Sequence, residues 1–262
     1  MPELVLLTTA LFVLGAIIGS FLNVVILRLP EEGESIVYPA SRCPSCRTPI
    51  TWYDNIPLLS FLLLRGRCRS CRTGISWQYP MVELAMALLS VALILRFDLS
   101  FALLRGLIFT AALLAVSVID LRLQIIPDRI SLPGIVVGFL CSLVTPEPGW
   151  HSSAIGLLVG GGSLYLIAWG YHALTGRDGM GGGDIKLLSM IGAFLGWQSL
   201  LFVLFASSLT GSLVGLACMW RQGRGGLTRI PFGPFLALAA VLDLLFRPQI
   251  LGLWQLYLQT LS

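Results

Sequence analysis

Apolar runs of near-bilayer length constrain this chain more than any other feature of its sequence. A helix needs about 20 predominantly apolar residues to cross the hydrocarbon core of a membrane, and several runs approach that length. Of the 262 residues, 56% are hydrophobic and only 11% are charged, whereas soluble domains carry about 25% charged residues. The sequence therefore predicts an all-α polytopic membrane protein and excludes a soluble globular domain.

We predict about eight transmembrane helices. The run 187–220 is too long for a single crossing and divides naturally at Gly196, Trp197 and Gln198. Small residues recur four positions apart within the spans, as at Gly156 and Gly160, and such pairs favour close contact between membrane helices. The predicted spans are 4–27, 81–95, 101–119, 130–144, 154–174, the two parts of 187–220, and 235–246, followed by a short apolar tail at 251–261.

The basic residues predict the orientation of these spans. All of the 17 Lys and Arg residues except Arg96, Arg105 and Arg247 fall on one side of the eight-span arrangement. Cytoplasmic loops of membrane proteins carry an excess of Lys and Arg, so we place the N-terminus outside and the basic loops inside. The same rule accounts for the net charge of +4, and we expect no nucleic-acid partner.

The one large polar segment, 29–80, contains two C-x2-C pairs, Cys43-Pro-Ser-Cys46 and Cys68-Arg-Ser-Cys71. Two such pairs are a common frame for tetrahedral zinc, and a reducing cytosol disfavours disulfides. Four cysteines fill a tetrahedral site and leave no open position. We therefore predict a structural zinc ion held by Cys43, Cys46, Cys68 and Cys71.

Two acidic residues lie at predicted membrane boundaries, where ionisable side chains are costly and commonly functional. Asp120 ends the third span, at the helix terminus where the dipole disfavours a negative charge. Asp184 precedes the sixth span and follows Gly181, Gly182 and Gly183, which let another chain approach closely. Spacing alone leaves three interpretations open: a catalytic pair of carboxylates that shares a proton, an ion or proton relay, or helix capping with local pairing.

Two further charged residues lie near these acids in the sequence. Asp128 precedes the fourth span and stands where the N-cap residue of a helix is expected. Lys186 follows Asp184, and its side chain is expected to anchor the helix at the interface or to pair with a carboxylate or a lipid phosphate. Neither residue is needed for the proposed pair of Asp120 and Asp184.

An ordered series of motifs runs through nearly the whole chain. It comprises Gly19-Ser-Phe-Leu-Asn-Val-Val-Ile-Leu-Arg-Leu-Pro30, the two cysteine pairs, Leu64-Arg-Gly-Arg-Cys68, Tyr79-Pro-Met-Val-Glu83, Asp120 followed by Ile126-Pro-Asp128, Gly181-Gly-Gly-Asp184 and Pro231-Phe-Gly-Pro-Phe235. In these motifs the chain resembles the type IV prepilin peptidase/N-methyltransferase family of GxGD membrane aspartic proteases.

The resemblance implies two activities at the cytoplasmic face of the bacterial inner membrane. The first is cleavage of the leader peptide of type IV prepilins or type II secretion pseudopilins, with Asp120 and Asp184 as the catalytic pair. The second is methylation of the new N-terminal residue with S-adenosylmethionine, which the resemblance associates with the zinc-binding loop. The implied organisation is a first transmembrane helix at 1–28, the loop at 29–80 and a transmembrane peptidase domain at 81–262.

The expected partners are therefore prepilin or pseudopilin substrates and the lipid bilayer. Gly181, Gly182, Gly183 and Lys186 are expected to line the approach of the substrate. A metal-stabilised transporter or ion channel with an aspartate relay is the alternative from another functional class, but it would need polar residues deep within the spans, and few are present. A non-enzymatic assembly scaffold would leave the unfavourable position of Asp120 without a reason.

Overall fold

The computed structural model describes residues 2–176, 181–222 and 231–261, and nearly all of their regular secondary structure is helical. Arg177, Arg224 and Arg229, which are among the basic residues used above to predict the orientation, lie outside this part of the chain. The helices are α1 (Pro2–Arg28), α2 (Leu59–Leu63), α3 (Gln78–Phe97), α4 (Phe101–Leu123), α5 (Asp128–Val144), α6 (Gly149–Thr175), α7 (Gly182–Leu195), α8 (Trp197–Gln222) and α9 (Gly233–Leu261), with a 3-10 turn at Trp52–Asn55.

Six of the described helices are long and apolar enough to cross a membrane: α1, α3, α4, α6, α8 and α9. The prediction of an all-α polytopic membrane protein is therefore confirmed. Helices α5 and α7 occupy the positions of predicted spans four and six, but they have only 17 and 14 residues. At 1.5 Å per residue, α7 is about 21 Å long, which is shorter than a hydrocarbon core of about 30 Å.

The chain divides into two compact units, Met1–Ala115 and Val116–Ser262. In the first unit, α1 packs closely on α3: a Cβ added at Gly19 would lie 2.6 Å from the Cα of Glu83. The buried Asn23 of α1 donates a hydrogen bond from Nδ2 to the carbonyl of Tyr79 (3.1 Å). The N–H of Leu58 donates to Oε2 of Glu83 (2.8 Å). This last bond ties the start of α2 to the second turn of α3.

In the second unit, α7 lies among α5, α6, α8 and α9. Every residue from 187 to 195 is buried. The approach of α6 to α7 is close enough that a Cβ added at Gly192 would overlap the carbonyl of Gly156. A helix that is apolar on all sides is stable when other helices surround it, so α7 is a core helix of this unit. Its small residues are required by the packing.

The two ends of α7 lie beside side chains of opposite charge. At its C-terminal end, Arg247 of α9 donates a hydrogen bond from Nη1 to the carbonyl of Leu195 (2.9 Å), and Gly196 follows with a φ of 83°. A cation suits this end because helix C-termini carry unpaired carbonyls and a partial negative charge. At its N-terminal end, the first turn of α7 carries Asp184.

Candidate active site and candidate metal centre

Asp120 lies in the last turn of α4 and is 5% exposed. Its Oδ2 accepts a hydrogen bond from the N–H of Gly233, the first residue of α9 (2.9 Å). The first N–H groups of a helix have no partner within that helix and lie at the positive end of its dipole. The start of α9 therefore compensates the carboxylate of Asp120, which its own helix disfavours.

Asp184 lies in the first turn of α7, where the helix dipole favours a carboxylate. Its backbone N–H donates to the carbonyl of Gly181 (3.2 Å). Gly183, directly before Asp184, and Gly233, whose N–H bonds to Asp120, both pack against Ile126, so the structure brings the two predicted acids to one junction although they lie on separate helices. Two neighbouring carboxylates do not both ionise easily, and such a pair can share one proton.

Ile126, in the connection between α4 and α5, fills the space between the helix ends at this site. A Cβ added at Gly183 would lie 2.8 Å from the Cβ of Ile126, and one added at Gly233 would lie 3.3 Å from its Cδ1 and 2.7 Å from Oδ2 of Asp120. The ends of α4, α7 and α9 therefore meet around one isoleucine, with the two acids at the junction.

The three glycines before Asp184 differ in their surroundings. Gly183 packs against Ile126, whereas no atom of the described residues lies within 4 Å of a Cβ added at Gly182. Within the same part of the chain, a Cβ added at Gly181 would meet only Oδ2 of Asp184, at 4.0 Å. The open side of this segment therefore lies at Gly181 and Gly182, while Gly183 is required by packing.

Lys186 and Asp128 form an ion pair next to the acids. The Nζ of Lys186 lies 2.7 Å from both carboxylate oxygens of Asp128. The prediction that Asp128 is an N-cap is wrong, because Pro127 occupies the N-cap position and Asp128 is the first residue of α5. Because Asp128 lies within the first turn of α5, its carboxylate does not cap that helix and bonds to Lys186 of α7 instead. Its charge is thus matched by Lys186.

The four predicted metal ligands come together in the first unit. The Sγ atoms of Cys43, Cys46, Cys68 and Cys71 all lie within 4.8 Å of one another, and those of Cys43 and Cys71 are 3.7 Å apart. A tetrahedral zinc ion with Zn–S bonds of about 2.3 Å requires sulfur atoms about 3.8 Å apart. The cluster therefore forms a candidate structural metal site that fits zinc.

The two cysteine pairs belong to an internal repeat that the sequence analysis missed. Residues 42–50 read Arg-Cys-Pro-Ser-Cys-Arg-Thr-Pro-Ile, and residues 67–75 read Arg-Cys-Arg-Ser-Cys-Arg-Thr-Gly-Ile. Both copies form the same turn, with an N–H bond from the first cysteine to the threonine carbonyl (3.0 and 2.9 Å) and an isolated antiparallel bridge. Seven identical residues at a fixed offset were the signal that would have revealed it.

The threonine in each copy of the repeat supports the thiolate that a metal requires. Cys46 Sγ lies 3.2 Å from Oγ1 of Thr48, and Cys71 Sγ lies 3.3 Å from Oγ1 of Thr73. The hydrogen bonds from the Thr73 side chain and backbone lower the pKa of Cys71 to about 6, and those from Thr48 lower the pKa of Cys46. Zinc binds the deprotonated form of cysteine.

Two family models match two separate segments of the chain, and each segment contains one of the candidate sites described above. The family model described as the Bacterial Peptidase A24 N-terminal domain matches residues 13–97, which contain the cysteine cluster. The model described as the Type IV leader peptidase family matches residues 107–216, which contain Asp120 and Asp184. No solved structure matches the chain significantly.

Curated relatives match over most of their length. The prepilin leader peptidase/N-methyltransferase of Aeromonas hydrophila is 40% identical over 258 residues, which cover 90% of this chain and 89% of that protein. The proteins of the same name from Xanthomonas campestris and Pseudomonas aeruginosa are 38% identical over 248 residues and 37% identical over 259 residues. These alignments cover 86% of this chain and 86% of the former relative, and 90% and 89% for the latter.

Proposed function

This chain belongs to the type IV leader peptidase family, and on that premise we propose that it processes prepilins at a membrane in two steps. It cleaves the leader peptide of type IV prepilins or type II secretion pseudopilins, and it methylates the new N-terminal amine. The enzyme resides in the bacterial inner membrane with its active site at the cytoplasmic face. The orientation is supported by the asymmetric distribution of Lys and Arg.

The observation that carries the peptidase assignment is the meeting of the helix ends that bear Asp120 and Asp184 around Ile126. A backbone N–H donated to a carboxylate stabilises its ionised form, and Asp120 receives such a bond from Gly233. Asp120 is therefore the carboxylate that takes a proton from the attacking water. The dipole of α7 favours the ionised form of Asp184, but two neighbouring carboxylates do not both ionise easily, so Asp184 holds the proton that the pair shares and donates it to the scissile carbonyl oxygen.

The remaining steps follow from the balance of protons. The water oxygen adds to the carbonyl carbon, and the resulting tetrahedral intermediate loses its C–N bond. The proton that Asp120 took from water passes to the leaving amine, and one hydroxyl proton of the intermediate returns to Asp184 as the carboxylic acid product forms, which restores the starting protonation of the pair. An extended substrate backbone reaches these acids along the open side at Gly181 and Gly182, where neither residue has a side chain to block it.

The peptidase assignment is tested with purified protein in lipid nanodiscs and a synthetic prepilin, with cleavage followed by mass spectrometry. Asp120→Asn and Asp184→Asn are each expected to abolish cleavage. The matched control is Asp128→Asn, which removes only a half-exposed ion pair with Lys186 that contributes about 0–1 kcal/mol. This control should retain substantial activity. Normal cleavage by Asp120→Asn, together with loss of cleavage in Asp128→Asn, would show that the first acid has been assigned incorrectly.

For the second activity, the loop at 29–80 holds zinc through its four cysteines and takes part in methyl transfer. The methyl group passes from the sulfonium of S-adenosylmethionine to the amine nitrogen, which then loses a proton. Zinc supplies no open coordination position with four cysteine ligands, so its contribution is to the folding of the loop. The assignment is supported by the cluster geometry and by the match of the N-terminal family model over this loop.

Replacing Cys43→Ser together with Cys46→Ser tests the metal assignment. Structural zinc can contribute on the order of 10 kcal/mol of local folding free energy, so this variant should lose its metal and its methyl transfer. Cleavage should persist at least in part, because neither aspartate needs a metal for its chemistry. Elemental analysis and both activity assays are run in parallel on the variant and the native sequence. A native protein that holds no metal, although purified without chelator, and still performs both reactions contradicts the zinc assignment.

A further inference from the structure

Helix α2 exposes an apolar surface that lies outside the spanning helices. Leu62 and Leu63 are 71% and 73% exposed, Leu59 is 49% exposed, and Trp77 directly before α3 is 70% exposed. We call these four residues the α2 surface. Scattered apolar side chains are common on protein surfaces, but here three leucines share one short helix in a loop joined to two spanning helices.

The position of α2 along α3 brings this surface to the edge of the membrane. The N–H of Leu58 bonds to Glu83 in the second turn of α3, and α3 is long and apolar enough to span a bilayer. The rings of Phe61 and Trp77 are in contact, with their centroids 5.0 Å apart. Tryptophan is enriched where membrane helices meet the headgroup region, and Trp77 occupies that position at the start of α3.

The exposed charges in the segment that contains α2 are basic. Residues 55–80 contain four arginines and no acidic residue. Arg69 is engaged by Asp54, with its Nη2 2.6 Å from Oδ1, so its charge is balanced. Arg65, Arg67 and Arg72 are exposed, and this set complements the phosphates of anionic lipids.

Apolar and basic groups meet in one groove beside α2. It is lined by Phe61, Leu62, Arg65, Gly66 and Trp77, together with Gly74 and Ile75 of the second cysteine repeat. A phospholipid presents the matching combination, since its acyl chains are apolar and its phosphate is anionic. This pairing of apolar and basic groups is typical of protein segments that lie in the membrane interface.

We propose that the α2 surface is embedded in the membrane interface and that Arg65, Arg67 and Arg72 bind the headgroups of anionic lipids there. The contact holds the second cysteine repeat against the bilayer. In this contact the lipid is a binding partner of the loop. The proposal does not depend on which reaction the loop supports. The orientation of the loop is then fixed by lipid contacts in addition to its two covalent connections to α1 and α3.

Site-specific photo-crosslinking in nanodiscs tests this contact on the full chain. p-Benzoylphenylalanine is placed at Leu63, and the matched control carries it at Val37, which is 83% exposed in the same loop but close in sequence to Glu31, Glu32 and Glu34. Nanodiscs contain phosphatidylcholine alone or with phosphatidylglycerol. We expect several-fold more lipid adduct at position 63 than at position 37, and a further several-fold increase at 63 when phosphatidylglycerol is present.

The variant Arg65→Gln with Arg72→Gln should retain its metal content but lose the increase caused by phosphatidylglycerol. Equal lipid adducts at 63 and 37 would overturn the proposal, as would an adduct at 63 that does not respond to anionic lipid in the otherwise native protein. A third contrary result is crosslinking of position 63 to an added prepilin peptide in place of lipid, because the surface would then serve the substrate.

Discussion

At the scale of single residues, two adjacent glycines beside Asp184 are expected to have separable roles. Gly183 packs against Ile126, whereas a Cβ added at Gly182 would meet no atom of the described residues within 4 Å. Gly183→Ala should displace the first turn of α7 and lower kcat about tenfold or more, since about 1.4 kcal/mol of barrier gives a factor of ten. Gly182→Ala should leave kcat near its native value and raise KM, because its methyl group projects into the proposed substrate path.

Steady-state cleavage of a soluble prepilin peptide distinguishes these effects, with thermal stability as a control for folding. Equal changes in kcat for the two variants would refute the separation of roles. A raised KM for Gly183→Ala with unchanged kcat would place the substrate path at Gly183 instead. In both cases the positions of Ile126 and Asp184 would need a different functional interpretation.

At the scale of helices, the contact of α6 with α7 predicts opposite effects for two glycines. Gly192→Ala places a methyl group on the carbonyl of Gly156, whereas a Cβ added at Gly162 of α6 meets no atom within 4 Å among the residues that the structure describes. Overpacking of this kind costs about 1–3 kcal/mol, while Ala is favoured over Gly within a helix by about 1 kcal/mol. Gly192→Ala should therefore lower the Tm, and Gly162→Ala should keep or raise it.

Thermal unfolding in one detergent, followed by tryptophan fluorescence, measures both changes. The cleavage rate should fall in Gly192→Ala alone, because α7 carries Asp184. If both substitutions lower the Tm equally, or if Gly192→Ala has no effect, α6 and α7 do not make the close contact described above. The two variants change the same number of atoms, so the comparison isolates the effect of position.

The helices also show which features local patterns can predict. The apolar runs located α1, α3, α4, α6 and α8, because spanning helices have a simple compositional signal. The run that forms α7 has the same signal, and apolarity on all sides does not tell lipid from protein neighbours. Its role as a core helix depends on contacts with segments that are distant in sequence. The local spacing of apolar residues does not predict such contacts.

The candidate sites likewise contain some features that local sequence patterns predict and others that depend on distant contacts. The C-x2-C spacing predicted the cysteine set, since both pairs form local turns. The N–H of Gly233 that compensates Asp120 lies 113 residues away in sequence, beyond any pattern within the fourth span. The unfavourable position of Asp120 at its helix end nevertheless indicated that a distant partner was required, and the start of α9 meets that requirement.

At the scale of the whole molecule, the two candidate sites belong to different compact units. The cysteine cluster lies in Met1–Ala115, and both aspartates lie in Val116–Ser262. Each unit has its own packed helices, as in the close contacts of Gly19 with α3 and of Gly192 with α6. This division is the structural basis for expecting that metal loss and aspartate substitution impair different reactions.

The topology of the whole chain is tested across α6, a helix of spanning length. The positive-inside rule places the connection before α6 outside and the residues after it inside. Glu147 and Thr175, which flank α6, are both exposed, whereas the nearby Thr145 is buried and would label poorly.

Glu147→Cys and Thr175→Cys are introduced separately with Cys141→Ala and Cys218→Ala, and the four cysteines of the candidate metal site are kept. In intact cells, an impermeant maleimide should label position 147 and spare 175, as read by peptide mass spectrometry. Permeabilised cells supply the control, because both positions should then react. Labelling of both positions in intact cells would contradict the predicted crossing by α6, and labelling of 175 alone would reverse the orientation that places the aspartates at the cytoplasmic face.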